Sequence, residues 1–301
     1  MMHLFHNQQN QNDSLNDLHT QLIEALESES EIQITTSNPQ DKKNALKIST
    51  WNDLAECLDC SCEVISVAKD KPLKLLFRKT NIISFRADEE IEKYGEDSKF
   101  SDINKLEDPC FLTDIKAALD FIRPVEDDTV IDLGCNNGQL FKAFDCWDKK
   151  IAAKLNYLGF DHSPSAIAKA RESFPSENYD FREVNLNAVD SVDIPTHNIL
   201  MSVGTLQSPG VEGPAVFKNF YQSGLHKNGK VLLAFPNCKY TDSGLLYGAR
   251  SKNFKTRDMS LLLKDCMYYK KYLQQHGYRV WITGKYYIFL AARKINKGEP
   301  L

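Results

Sequence analysis

Two acidic residues follow apolar stretches at positions where the strands of an alternating α/β chain would end. Asp132 lies at the end of one such stretch, directly before a turn that has glycine at positions 134 and 138. Asp161 closes the next apolar stretch, 23 residues after Gly138. Glycine allows the backbone to approach a ligand closely. Ligands of open α/β sheets bind beyond the carboxyl ends of the strands, so the sequence predicts a ligand site at this turn.

Two classes of nucleotide ligand are compatible with such a turn. A dinucleotide site is typically Gly-x-Gly-x-x-Gly, with backbone amides facing a pyrophosphate, and the turn between Gly134 and Gly138 lacks that spacing. Asp132 would repel a pyrophosphate but attract a cationic amino group, whereas Asp161 is suited to both hydroxyls of an adenosine ribose. S-adenosylmethionine has both an amino-acid end and an adenosine end. A doubly wound domain that binds an unrelated nucleotide is the alternative.

The stretch Asp-Leu-Gly-Cys-Asn-Asn-Gly at 132–138 resembles the first motif of class I S-adenosylmethionine-dependent methyltransferases, with Asn136 where glycine is more usual. Asparagine tolerates left-handed backbone conformations, so this departure is mild. The resemblance covers about residues 110–294 and includes the C-terminal stretch Tyr278–Arg293, which is similar to that fold's final antiparallel strands. It implies S-adenosyl-L-methionine as cofactor and a methyl acceptor as the second ligand.

The resemblance also implies a set of cofactor-binding residues at the ends of the first four predicted strands. Asp161 corresponds to the ribose-binding acid, Asn185 and Leu186 flank the adenine, and residues 202–204 line the methionine side. His162 either contacts the adenine edge or is an exposed turn residue. The full set is Asp132, Gly134, Cys135, Asn136, Asn137, Gly138, Asp161, His162, Asn185, Leu186, Ser202, Val203 and Gly204.

The sequence indicates the catalytic residues less clearly than the cofactor-binding residues. The exit of the fourth strand, residues 202–210, lacks the Asn/Asp-Pro-Pro-Tyr quartet of many base-amino methyltransferases and the Pro-Cys nucleophile of cytosine-C5 enzymes. The long connection after the fifth strand supplies candidates near the methyl-accepting atom, with a solvated surface loop as the alternative. Those candidates are Asn237, Tyr240 and Asp242 for catalysis, and Arg250 and Lys252 for an anionic group of the substrate.

The charge is distributed unevenly along the chain, although the formal net charge is only −4. Residues 1–128 hold 14 Lys/Arg against 26 Asp/Glu, whereas residues 239–301 hold 13 against 4. This basic C-terminal segment, which interleaves aromatic residues, favours RNA as the methyl acceptor. A small-molecule O- or N-methyltransferase is the second hypothesis, favoured by the pI of about 6.0. A non-catalytic cofactor-binding interaction protein is the third.

Hydrophobic periodicity predicts the elements that position these residues. The segment 1–44 is a polar N-terminal helix and linker, 45–108 a small N-terminal α+β domain, and 109–301 the S-adenosylmethionine-binding domain. In the last domain, strands and helices alternate and the strands are apolar. This pattern predicts an α/β fold with a doubly wound, mostly parallel seven-stranded sheet that ends in a C-terminal antiparallel hairpin.

The composition is that of a globular protein, with 42% hydrophobic and 26% charged residues. No apolar run reaches the length of a membrane helix and no secretory signal is visible, so the sequence predicts a cytoplasmic protein with no membrane partner. The eight cysteines are then expected as reduced thiols. The spacing Cys57-x-x-Cys60-x-Cys62 leaves a zinc site as the alternative, although a fourth ligand is missing. No bound metal is therefore predicted.

Overall fold

The structure is a computed structural model that describes residues 2–6, 15–40, 45–68, 70–81, 103–191, 193–249 and 258–295. The chain divides into two compact units. The N-terminal unit comprises Met1–Ile83 together with Lys239–Leu246, and the larger unit comprises Ser84–Cys238 together with Tyr247–Leu301.

The N-terminal unit is a four-stranded mixed sheet that carries two helices. Its elements are β1 (Met2–His6), α1 (Leu15–Ser28), β2 (Glu31–Thr36), α2 (Ile48–Cys57), β3 (Cys60–Ser66) and β4 (Leu73–Lys79). The strand order is β1-β2-β4-β3, with β1 and β2 parallel and the other pairs antiparallel. Residues 29–44, expected as a linker, include β2, because Ile32 and Ile34 alternate into a core shared with Leu22 and Trp51.

The larger unit begins with α3 and five strands that alternate with helices. These are α3 (Pro109–Ile122), β5 (Thr129–Leu133), α4 (Lys142–Trp147), α5 (Lys149–Ala152), β6 (Asn156–Asp161), α6 (Pro164–Ser173), β7 (Tyr179–Glu183), β8 (His197–Val203), α7 (Gly213–Ser223) and β9 (Leu225–Pro236). A short hairpin of β10 (Cys238–Thr241) and β11 (Gly244–Tyr247) follows. The chain ends with α8 (Ser260–Gln275), β12 (Tyr278–Thr283) and β13 (Tyr287–Lys294).

The seven strands of the larger unit form one sheet in the order β12-β13-β9-β8-β5-β6-β7. The five strands from β5 to β9 pair in parallel, while β13 is antiparallel to both β9 and β12. The predicted fold class, a mostly parallel seven-stranded sheet with a C-terminal antiparallel hairpin, is confirmed.

The strand order reverses at β5, which pairs with β6 on one side and with β8 on the other. A crevice opens at such a switch point because the connections on its two sides run to opposite faces of the sheet. Helix caps fix the neighbouring chain: Ser163 Oγ accepts from the Ala166 amide at the start of α6, and Asp108 Oδ1 accepts from the Phe111 amide at the start of α3. Both caps lie close in sequence to residues of the crevice.

Within the part of the chain that the structure describes, no helix has the length and apolar character needed to cross a bilayer.

Candidate functional site

The turn after β5 contains three residues with left-handed backbone conformations. Gly134 has a φ of +79°, Asn136 of +50° and Gly138 of +76°. A Cβ atom on Gly134 would lie 2.6 Å from Cγ2 of Thr205, and one on Gly138 would lie 2.8 Å from the Phe181 ring. Both glycines are therefore required by the protein's own packing as well as by backbone geometry, independently of any ligand.

The backbone amides of this turn all donate to acceptors within the protein. Gly134 and Cys135 donate to the Phe160 carbonyl (2.8 and 3.0 Å), Asn136 to Asp161 Oδ2 (2.8 Å), Asn137 to Asn136 Oδ1 (2.7 Å), Gly138 to the Cys135 carbonyl (2.9 Å) and Gln139 to Asn137 Oδ1 (3.3 Å). A phosphate-binding loop instead aims its amides at the ligand. The turn is thus built to hold its own shape, and side chains are left to recognise a ligand.

Asp161, at the end of β6, is 5% exposed and connects two segments of the crevice. Its Oδ2 accepts from the Asn136 amide, and its Oδ1 accepts from the Ser163 amide at 3.0 Å. Each carboxylate oxygen has a second lone pair, so both can still accept a hydroxyl proton. The exposed His162 ring lies beside it, with Nδ1 3.4 Å from Oδ1.

Asp132 is 1% exposed, and neither of its carboxylate oxygens has a hydrogen-bond partner among the described residues. Burial raises the pKa of Asp132 to about 8, with a smaller opposing effect from Lys105 and a further increase from the nearby Asp161 carboxylate. A buried carboxylate without hydrogen bonds is costly unless a ligand or an ion satisfies it. Asp132 is therefore mostly protonated at neutral pH, and a cationic group of a ligand beside it would favour the carboxylate.

A cavity beside the turn is lined by residues from two distant parts of the sequence. One wall is the turn itself, and the other is the segment 103–105, directly before α3. Burial lowers the pKa of Lys105 in this segment, while Asp132 and Cys238 act in the opposite direction. Sequence reasoning missed Lys105 because no motif or periodicity distinguishes it from other lysines.

The remaining residues predicted to bind the cofactor differ in what their side chains do. Ser202 donates from Oγ to the Leu133 carbonyl at 3.1 Å and joins β8 to β5. Leu186 is buried in the core, whereas Asn185 is exposed and its Oδ1 accepts from the Asn187 amide. Val203 is buried and Gly204 has a φ of +79°. Burial raises the pKa of the Cys135 thiol well above its usual value, which makes it unreactive.

Asn237, the first catalytic candidate, is buried and holds three segments together. Its Nδ2 donates to the Lys285 carbonyl at 3.1 Å, and its Oδ1 accepts from the Ala249 amide at 3.3 Å. Its backbone amide donates to the Tyr286 carbonyl at 2.8 Å. These contacts give Asn237 a structural role at the end of β9, and its catalytic role stays a prediction.

The other candidates lie in or after the hairpin of β10 and β11. Tyr240 and Asp242 belong to the segment that packs in the N-terminal unit. There, the Asp242 carboxylate accepts from the amide and the side chain of Asn81, which lowers its pKa. Arg250 and Lys252 lie outside the described residues.

Cys57, Cys60 and Cys62, in the N-terminal unit, form no disulfide. Cys60 is buried and Cys62 is half-buried, and burial raises the pKa of each to about 11. Within the part of the chain that the structure describes, no group of three or more His, Cys, Asp or Glu side chains is arranged to hold a metal ion.

The fold is identified by three features of the larger unit. Its seven strands have this order, its C-terminal strands are antiparallel, and a glycine-containing turn follows the acidic end of β5. The chain has the fold of class I S-adenosylmethionine-dependent methyltransferases. Asp132 is the penultimate residue of β5 and Asp161 is the last residue of β6, and their roles in binding a cofactor stay predictions.

Several solved methyltransferase structures are similar to the chain at low sequence identity and with TM-scores below 0.5. A SAM-dependent methyltransferase from Aquifex aeolicus is 16% identical with a TM-score of 0.44, and the match covers 65% of this chain and 98% of that one. The putative methyltransferase in a complex with the Haloferax volcanii Trm112 activator is 14% identical with a TM-score of 0.48, covering 70% and 100%. Magnesium protoporphyrin IX methyltransferase from Synechocystis, with bound SAM, is 14% identical with a TM-score of 0.38, covering 61% and 78%. No family model and no curated protein matches the sequence.

Proposed function

We propose that the protein is an S-adenosylmethionine-dependent methyltransferase. The observation that carries this proposal is the contrast between the backbone amides of the turn and the side chain of Asp132. The turn amides that would bind a phosphate are used internally, while the buried Asp132 has no hydrogen-bond partner among the described residues. A ligand with a cationic amino group and a ribose fits these acids better than a pyrophosphate does.

In this proposal the protein binds the cofactor and positions the methyl acceptor beside it. The cofactor supplies an electrophilic methyl group on a sulfonium centre. Asp132 holds the α-ammonium group, and Asp161 accepts hydrogen bonds from the ribose hydroxyls through its remaining lone pairs. Asn185 and Leu186 flank the adenine. In-line methyl transfer depends mainly on orientation and exclusion of water, and a general base is needed only for a protonated nucleophile.

RNA is the acceptor we propose. The basic segment 239–301 supports it, and exposed Lys264, Lys271 and Lys285 belong to that segment in the described structure. The aromatic residues of the same segment support it less, because Tyr269, Tyr278 and Tyr287 are buried in the core. Recognition would therefore rest on phosphate contacts more than on base stacking.

The experiment is transfer of tritiated methyl groups from S-adenosylmethionine to size-fractionated RNA and, in parallel, to a small-metabolite extract. Label in RNA that disappears after ribonuclease treatment supports the whole proposal. Label only in the metabolite fraction retains methyl transfer and replaces RNA by a small molecule. Binding of S-adenosylhomocysteine without transfer to either would indicate a non-catalytic cofactor-binding protein. No binding of S-adenosylhomocysteine at all would contradict the proposed function.

A further inference from the structure

We infer that Lys105 binds the α-carboxylate of the cofactor, and that Lys105 and Asp132 together hold the two charged groups of its amino-acid end. The inference rests on the proposed function and extends it to a residue that lies 27 positions before the motif. Lys105 would thus be a binding residue that no sequence pattern singles out.

Lys105 is placed by a segment with its own internal hydrogen bonds. It begins a short 3-10 turn, Lys105–Glu107, where Asn104 Oδ1 accepts from the Leu106 amide at 3.2 Å and Asn104 Nδ2 donates to Glu107 Oε1 at 2.9 Å. Asp108 then caps α3 with a hydrogen bond of 2.6 Å to the Phe111 amide. Because α3 packs on β13 and β9 and also contacts this short turn, the backbone of Lys105 is tied to the sheet.

Lys105 and the turn line one cavity. Ile103, Asn104 and Lys105 line the same space as residues 134–137, which are the backbone of the first motif. Asp132 lies at the base of that turn. Asp132 is not part of this lining, but the charge of Lys105 influences its pKa. A ligand whose amino-acid end entered the cavity would bring one charged group to each of these two residues.

Lys105 and ionised Asp132 carry the charges opposite to those of the carboxylate and ammonium groups at the amino-acid end of the cofactor. The charge of Lys105 is close enough to influence the pKa of Asp132, and the influence is mutual, yet the Asp132 oxygens have no hydrogen-bond partner among the described residues. A buried carboxylate that shares no hydrogen bond with its countercharge is poorly compensated. An α-ammonium group would give Asp132 a direct, charge-assisted partner, and the α-carboxylate of the same ligand would then face the cation of Lys105.

The test compares two ligands by isothermal titration calorimetry. One is S-adenosylhomocysteine, and the other is its decarboxylated analogue, 5′-deoxy-5′-(3-aminopropylthio)adenosine, which keeps the ammonium group. Lys105→Met should weaken binding of S-adenosylhomocysteine about tenfold or more and leave binding of the analogue almost unchanged. Lys105→Arg keeps a cation at this position and should retain much of the preference for S-adenosylhomocysteine over the analogue. Lys116→Met, on the half-buried part of α3, is the matched control and should affect neither ligand.

Two further results test the role of Lys105 separately from the proposed function. Asp132→Asn should weaken the binding of both ligands, since both carry the ammonium group. If the wild type binds neither ligand, the proposed function itself is wrong. Suppose that the wild type binds S-adenosylhomocysteine. If Lys105→Met then weakens the binding of both ligands equally, or leaves the affinity for both unchanged, Lys105 does not bind the carboxylate. Thermal unfolding of each variant establishes folding, and Lys105→Gln replaces Lys105→Met if the latter does not fold.

Discussion

The carboxylate of Asp161 and the backbone amide of Asn136 are joined by a hydrogen bond of 2.8 Å, which links the end of β6 to the turn after β5. A second bond, from the Ser163 amide to the other oxygen, continues the link to the start of α6. The acid expected to bind ribose therefore also fixes the shape of the turn after β5. We expect ligand binding and local stability to be coupled at this residue.

Replacing Asp161 should therefore weaken both properties. Asp161→Ala removes the carboxylate that accepts from the Asn136 and Ser163 amides, which should lower the free energy of unfolding by about 1–3 kcal/mol and weaken S-adenosylhomocysteine binding at least about tenfold. Denaturant unfolding and calorimetry measure the two effects. Glu183→Ala, the exposed acid that ends β7, is the control and should change neither. Unchanged affinity in a folded Asp161→Ala protein would remove this residue from the site.

The stability of the protein should fall as pH rises because of Asp132. Its pKa is raised from 3.8 to about 8 in the folded state, so between these values the folded protein binds more protons than the unfolded chain. Stability contributed by the protonated acid then declines progressively from about pH 4 to pH 8. Asp132→Asn should be more stable than the wild type at pH 8, by an amount on the order of a few kcal/mol, and similar near pH 4. Equal pH profiles for the two proteins would contradict the raised pKa.

Cofactor binding at neutral pH should release a proton from Asp132. The free acid is largely protonated at pH 7 because its pKa is about 8, whereas an ammonium group beside it favours the carboxylate. Calorimetry of S-adenosylhomocysteine binding in buffers of different ionisation enthalpy counts the released protons. We expect up to about one proton for the wild type and none from this position in Asp132→Asn. A count that is identical in both proteins would assign the proton to another group.

Gly159 in β6 should not tolerate a side chain while Cys135 is present. A Cβ atom at Gly159 would lie 2.6 Å from the Cys135 sulfur and 2.8 Å from the Phe181 ring. Gly159→Ala should lower the free energy of unfolding by about 1–3 kcal/mol through overpacking. Adding Cys135→Ala should recover part of this stability, which a double-mutant cycle of unfolding free energies measures. Additive effects would show that the two positions do not compete for the same space.

The basic residues after β11 should bind phosphate groups if RNA is the acceptor. Neutralising Arg250, Lys252, Lys255 and Arg257 should weaken RNA binding and reduce its log–log dependence on salt by about one unit for each phosphate that the variant no longer neutralises. Affinity for S-adenosylhomocysteine should remain at the wild-type value. Fluorescence anisotropy of labelled RNA over a salt series makes the measurement. An unchanged slope, or no RNA binding by the wild type at low salt, would favour the small-molecule hypothesis.

The sheet and the turn after β5 could be predicted from the sequence. Apolar strands that alternate with helices leave a periodic signal, and the acids Asp132 and Asp161 lie in the last two residues of β5 and β6. Local backbone geometry is also visible in a sequence, so Gly134 and Gly138 marked the turn correctly. The expectation that these glycines serve ligand approach was incomplete, because Thr205 and Phe181 already occupy the space beside them.

Tertiary structure alone decided which side chains meet. Lys105 acts on Asp132 from 27 residues away, and Asp242 is bound by Asn81 across 161 positions. Asn237, a catalytic candidate by composition, is engaged by Lys285 and Ala249. Such encounters depend on how distant elements pack and on how much water they exclude, and neither property leaves a local pattern in the chain. The pKa of Asp132 likewise arises from burial, which exists only once the sheet, the turn and the segment before α3 have come together.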